Sequence, residues 1–177
     1  IKIRIHWKLT FIFCFVVILA ISAGYFYLVP RLKSYVENNI SNNIRHQLYL
    51  GKDFLEISLI DKTNTADFQA IAAKMGKVLD LRVTIIGLDG RVLGDTDLTR
   101  EQLMTVENHA DRPEVKDALK KAFGVSKRFS RTVKKNMLYM ALPFGKEKTE
   151  GILRFSMFFY DIDLIEAKMR GTIGIAA

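Results

Sequence analysis

Residues 9–29 form a run of 21 residues without a single charge, bordered by Lys2, Arg4 and Lys8 on one side and Arg31 and Lys33 on the other. As a helix rising about 1.5 Å per residue, the run matches the roughly 30 Å hydrocarbon core of a bilayer. Trp7, Tyr25 and Tyr27 lie near its ends, where amphipathic rings meet lipid headgroups. A signal-peptide core is shorter and ends in small residues, whereas Tyr25-Phe26-Tyr27-Leu28 is bulky. The run predicts a membrane helix, with the bilayer as its partner. Basic residues concentrated before it favour an inside N-terminus and an exported payload.

Everything chemically varied follows that run. All 19 acidic residues come after Pro30, and apolar residues are spread through the remainder as in a folded domain. The net charge of +8 fits an acidic ligand, anionic lipid or nucleic acid, and so selects none of them. Cys14, the single cysteine, lies inside the apolar run, which excludes an intrachain disulfide or a cysteine-based metal site. The first residue is Ile1 rather than Met, so a longer parent is expected. Residues 171–177 are uncharged and follow Lys168 and Arg170, the flank pattern of a second span.

Hydrophobic spacing divides the chain. Residues 1–8 read as a cytoplasmic stub, 9–29 as the membrane helix, 30–60 as a stalk helix, 61–160 as the domain, and 161–177 as an exit helix entering the second span. Along the stalk, Leu32, Val36, Ile40, Ile44, Leu48, Leu55 and Leu59 make one drifting stripe, weakened at Gly51. Its membrane-proximal part is too long for one small sheet to cover. A homodimer through Leu32, Val36, Ile40 and Ile44 is therefore expected, with Asn39 and Asn43 setting register.

Thr65 reads as the N-cap of a short helix whose buried face carries Phe68, Ile71, Ala72, Met75 and Leu79. Residues 82–88 then read as a strand, Asp89-Gly90 predicts a two-residue hairpin, and residues 91–94 return. Thr99 with Gln102 makes a capping box. Asp111-Arg112-Pro113 breaks the chain before a helix over 114–123 that ends at Gly124. Strands are predicted over 126–133, 136–144 and 151–159, and Asp161 caps the exit helix. This order gives an α+β domain with a five-stranded antiparallel sheet.

Three stretches carry a family resemblance: Arg82-Val-Thr-Ile-Ile-Gly-Leu-Asp-Gly-Arg-Val-Leu-Gly-Asp95, Glu107-Asn-His-Ala-Asp-Arg-Pro-Glu-Val-Lys-Asp-Ala-Leu119, and Met137-Leu-Tyr-Met-Ala-Leu-Pro143 with Gly151-Ile-Leu-Arg-Phe-Ser156. Together they resemble the sensor region of bacterial phosphate-regulon-type sensor histidine kinases. The resemblance implies a PAS-like (single Cache) domain outside the cytoplasm, between two helices of the cell membrane. It further implies signal transduction in a two-component system, with the kinase parts beyond Ala177. The same module occurs on chemoreceptors and diguanylate cyclases, and a membrane-anchored interaction module is the other reading.

No catalytic constellation is legible. His6, His46 and His109 lack metal spacing, and no phosphate loop, dinucleotide turn or nucleophile elbow occurs. No cofactor is expected. His109 reads as bonding backbone around a helix break, and Asp95-Thr96-Asp97 as a turn and cap. From Lys116 to Lys135 eight basic residues meet one acid, Asp117. That run fits a solvated surface, an acidic-ligand site or lipid headgroups; thin aromatic interleaving and the membrane tether argue against nucleic acid.

The candidate ligand site lies between the sheet and the turn at 108–114, with Arg131, Tyr139 and Arg154 as polar lining and Arg112 and Arg128 beside them. A small acidic ligand or an envelope protein is the expected partner. Arg154 interrupts the last strand between Leu153 and Phe155, so it is expected to be buried and to need an anion. Asp95, Asp111, Glu114 or a ligand would supply it.

Overall fold

The computed structural model describes residues 5–60, 67–130 and 135–158. Two compact units are present, Ile1–Asn42 and Asn43–Ala177. Helix α1 (Ile5–Ile60) contributes to both and runs through Pro30 without interruption. In the first unit its apolar side chains are exposed, Leu9, Phe13 and Phe26 among them. A segment of this helix is long and apolar enough to cross a membrane.

In the second unit, α2 (Phe68–Leu79), β1 (Arg82–Gly87), β2 (Val92–Asp95), α3 (Arg100–Leu103), α4 (Pro113–Lys121), β3 (Gly124–Ser130), β4 (Lys135–Phe144) and β5 (Gly151–Phe158) follow in order. The sheet order is β2-β1-β5-β4-β3 and every pairing is antiparallel. The expected α+β class and five-stranded sheet are therefore present. Strand β5 lies at the centre, flanked by β1 and β4.

One sheet face packs Val83, Ile85, Leu138, Met140, Leu142, Leu153 and Phe155 against Ile44, Leu48 and Leu55 of α1 and Ile71, Ala72 and Met75 of α2. Each such large side chain contributes about 1.5–3 kcal/mol on burial. The other face carries a smaller cluster in which Ile86, Ala141 and Ile152 meet Val115 and Ala118 of α4. Beyond that small cluster, the same face carries the buried polar side chains Thr84, Tyr139 and Arg154.

Several expectations need correction. Ile44 is buried in the domain core, so it cannot serve the dimer interface expected through Leu32, Val36, Ile40 and Ile44. Gly51 is a packing device rather than a weak point: a Cβ there would lie 2.7 Å from the Phe155 ring and 2.9 Å from Met75. Asp67 caps α2, accepting from the Ala70 amide, while Thr65 lies outside the described residues. Ala122, not Gly124, takes the left-handed position after α4 (φ 59°). The hairpin closes over three residues rather than two: the Gly87 amide donates to the Arg91 carbonyl and the Gly90 amide to that of Gly87. Gly90 adopts φ +81°, the left-handed residue such a loop requires. The exit helix and second span lie outside the described residues, as does the segment 131–134.

Candidate functional site

Glu114 follows Pro113, the first residue of α4, so its carboxylate sits in the first turn, where a helix favours negative charge. Gly124 lets that turn press onto β3, since a Cβ at this position would stand 1.9 Å from the Glu114 carbonyl oxygen. The close approach brings Glu114 over β3 and β5, where it is fully buried. Ser126 donates to Glu114 at 2.6 Å, Arg128 at 3.1 Å and Arg154 at 3.3 Å. Burial pushes the carboxyl upward, but the bonds from Arg128 and Ser126 and the Arg154 charge outweigh it. The net effect is a pKa below the usual carboxylate range.

Arg154 is 3% exposed on the central strand, opposite Thr84 of β1 and Ala141 of β4. It donates to Glu114 and, at 3.1 Å, to the Thr84 hydroxyl. Burial lowers its pKa, Glu114 and Asp95 work against that, and a guanidinium stays charged regardless. Thr84 donates in turn to Asp95 at 2.7 Å. Asp95 is fully buried and accepts from Arg82 Nε and from the Asp97 amide. The predicted Asp95-Thr96-Asp97 turn is thus present, and Asp95, one of the acids considered for Arg154, also anchors a buried network with Arg82 and Thr84.

Above this network opens a cavity of about 590 Å³, lined by Arg82, His109, Arg112, Arg128, Tyr139 and Arg154 among others. Arg128 lies 3.9 Å from the centre of the Tyr139 ring and Arg154 lies 5.2 Å from it. The structure therefore brings to this cavity four of the five candidate site residues, Arg112, Arg128, Tyr139 and Arg154. Arg131 lies outside the described residues. Of the three internal acids considered for Arg154, Glu114 pairs with it directly. Asp111 is 93% exposed and pairs with Lys116 instead.

The main chain of His109 ties the helix break, its amide donating to the Gly90 carbonyl and its carbonyl accepting from the Arg112 amide, whereas the expected backbone bond from its ring is not observed among the described residues: Nδ1 is buried without a partner. Its ring also lines the cavity, a role the sequence reading did not assign. Burial, then the charges of Arg154 and Arg112, push its pKa down to about 3, so the ring is neutral. Three buried polar atoms of lining residues lack a hydrogen-bond partner among the described residues: His109 Nδ1, Arg128 Nε and Arg154 Nε. Buried polar groups ordinarily find partners. Here they belong to residues surrounding one cavity.

The basic run does not act as a block. Lys116 and Lys121 pair with Asp111 and Asp117, and Lys135 lies over the Phe158 ring. Arg128 alone among its described members lines the cavity. No cluster of potential metal ligands occurs among the described residues.

No protein-family model matches the chain, and no curated protein does. Solved structures do match. The sensor domain of the Vibrio cholerae histidine kinase DctB superposes with a TM-score of 0.63 at 14% identity, covering 80% of this chain and 57% of that one. This fold is that of the PAS-like, Cache-type sensor domains. The sensory domain of the Campylobacter jejuni chemoreceptor Tlp3, with isoleucine bound, gives 0.52 at 17% identity, covering 71% and 54%. The ligand-binding domain of the Pseudomonas aeruginosa amino-acid chemoreceptor PctC, in complex with GABA, gives 0.53 at 16%, covering 71% and 60%. The chain thus spans a little over half the length of these solved domains.

Proposed function

We propose that this chain is the sensor region of a membrane receptor and that the arginine-lined cavity receives a small acidic ligand outside the cytoplasm. The observation that carries the reading is the convergence of Arg112, Arg128, Arg154 and Tyr139 on one cavity large enough for a metabolite. A planar guanidinium binds a carboxylate through directed N–H donors, and three such groups, Arg112, Arg128 and Arg154, line this one cavity. The Cache-type fold supports the reading, as does the apolar segment of α1, which would anchor the domain.

Within that class, the resemblance of the hairpin, the 107–119 turn and the last two strands favours a two-component histidine kinase of the phosphate-regulon type. A chemoreceptor is the alternative, and sequence beyond Ala177 separates the two. Ligand binding would bias two arrangements of α1 by its differential affinity for them, and a homodimer through Leu32, Val36 and Ile40 would carry the change across the bilayer. The test is a thermal shift of the full chain in nanodiscs against small organic acids. Stabilisation that disappears in Arg154→Met supports the site, and no response to any acid refutes it. Topology has its own test: a reporter active only in the periplasm, fused after Asp61, should be on.

A further inference from the structure

We infer that the exposed flank of α1 in the second unit, with the groove it makes against α2, is the face on which a second copy of this chain docks in parallel. The inference rests on the proposed membrane anchor and is independent of the arginine-lined cavity. Asn43, Gln47, Leu50, Phe54 and Ile57 recur at alternating intervals of four and three residues, and Val36 and Ile40 precede them at the same intervals. That is the spacing of a seam between two paired helices. The domain core uses other positions of the helix, Ile44, Leu48, Gly51 and Leu55, which are buried.

Leu50 is 68% exposed and Val78 of α2 76% exposed, and with Phe54 they wall a groove of about 210 Å³ whose floor includes Met75 and Leu79. Ile57, one turn beyond Phe54, is exposed as well. Together these four side chains present on the order of 400 Å² of apolar surface, the size at which a patch marks an interaction site. Two such patches with their polar flanks reach on the order of 1,000 Å², about what a specific interface requires. Chains held in one bilayer also meet at high effective concentration, which lowers what the contact itself must supply. Gln47 Nε2 donates to Asn43 Oδ1 at 3.2 Å, a polar step in the seam of the kind that fixes register.

Charge complementarity selects a second copy over other occupants. Asp53 and Lys74 are exposed, and neither makes an ion pair among the described residues; the Lys74 ammonium lies 5.5 Å from the centre of the Phe54 ring. They sit on opposite flanks of the seam. At about 100° per residue, Gly51 and Leu55 follow Leu50 and Phe54 on the flank that meets the core and α2, where Met75 approaches Gly51. Lys74 neighbours Met75 and lines the groove, whereas Asp53 precedes Phe54 on the outer flank. A common membrane anchor makes two copies parallel. A two-fold axis along parallel helices then sets the outer flank of each against the inner flank of the other. Asp53 of one copy thus meets Lys74 of the other, twice in the pair. An apolar ligand in the groove would leave both charges unmatched.

Single cysteines in the full chain carrying Cys14→Ser, oxidised in liposomes, test the inference. Leu50→Cys and Ile57→Cys should crosslink two copies as readily as Ile40→Cys, and far faster than Ala73→Cys, an exposed position of α2 that does not line the groove. Asp53→Lys or Lys74→Asp should each slow crosslinking of Ile57→Cys by about two- to fivefold, the range for exposed ion pairs, and the two reversals together should restore it. Crosslinking of Ala73→Cys at the same rate would mark random collision and overturn the inference. No crosslink at Leu50→Cys or Ile57→Cys while Ile40→Cys still reacts would also overturn it, leaving the stalk pairing intact and the groove to another occupant. A doubly reversed chain that stays slow would refute the Asp53–Lys74 pairing on which the choice of partner rests. If Ile40→Cys fails as well, the membrane-dimer reading falls and this inference with it.

Discussion

Glu114→Gln should be costlier than Arg154→Met, although the two residues form one buried pair. Glu114 is the carboxylate shared by Arg154, at 3.3 Å, and Arg128, at 3.1 Å. Making it neutral leaves two guanidiniums in the same enclosed space with no anion between them. Removing one partner of a buried ion pair costs about 3–5 kcal/mol, chiefly because the remaining charge is stranded. Arg154→Met strands nothing: Glu114 keeps Arg128 and the 2.6 Å bond from Ser126, and methionine refills much of the volume. That loss is of hydrogen bonds to Glu114 and Thr84, about 1–2 kcal/mol. The double variant should fall short of the sum, since removing Arg154 relieves part of the repulsion created by Glu114→Gln. Urea unfolding of the full chain in nanodiscs, read by pulse proteolysis, measures all three. A Glu114→Gln cost equal to or below that of Arg154→Met, or an additive double variant, would refute the shared-carboxylate reasoning.

His109 has a folded pKa near 3, below its unfolded value, so the unfolded chain takes up the proton first and stability falls as pH drops from 6.5 towards 3. Between about pH 7 and pH 5 that amounts to about 2 kcal/mol, a slope that His109→Gln should flatten in the same unfolding assay. Gly124→Ala should destabilise the domain by about 1–3 kcal/mol, because its Cβ would collide with the Glu114 backbone. The amides of α4 should then exchange hydrogen faster. Cysteines at Val36 or Ile40, in a chain with Cys14 replaced, should crosslink two copies in membranes more readily than one at Asn38. A cysteine at buried Ile44 should not crosslink at all.

What could be read from the sequence was what depends on near neighbours. The Thr99–Gln102 capping box, the break at Asp111-Arg112-Pro113 and the β-branched run that makes β1 are local patterns, and each appears where expected. Arg154 was legible as a buried charge because Leu153 and Phe155 flank it on a strand. Glu114 was named only as one possible partner, since an acid in the first turn of a helix is ordinary. Its burial comes from α4 closing onto β3 at Gly124, a contact between segments whose sequences do not announce each other. Gly51 and Gly124 were read as a helix weakness and a helix stop for the same reason: a glycine required by tertiary approach looks like one required by local conformation. Ile44 was assigned to a dimer because stripe spacing alone does not tell where the sheet takes over from a partner as the cover.

The central claim is that the cavity lined by Arg128 and Arg154 receives an anion. Nitrogen-labelled arginine in the full chain, followed by NMR as glutarate is added, tests it at the atoms concerned. The Nε–H signals of Arg128 and Arg154 should move together and saturate, while that of Arg82, already held by Asp95 and Asp97, stays in place. Unmoved signals from Arg128 and Arg154, or shifts no larger than that of exposed Arg91, would contradict the account.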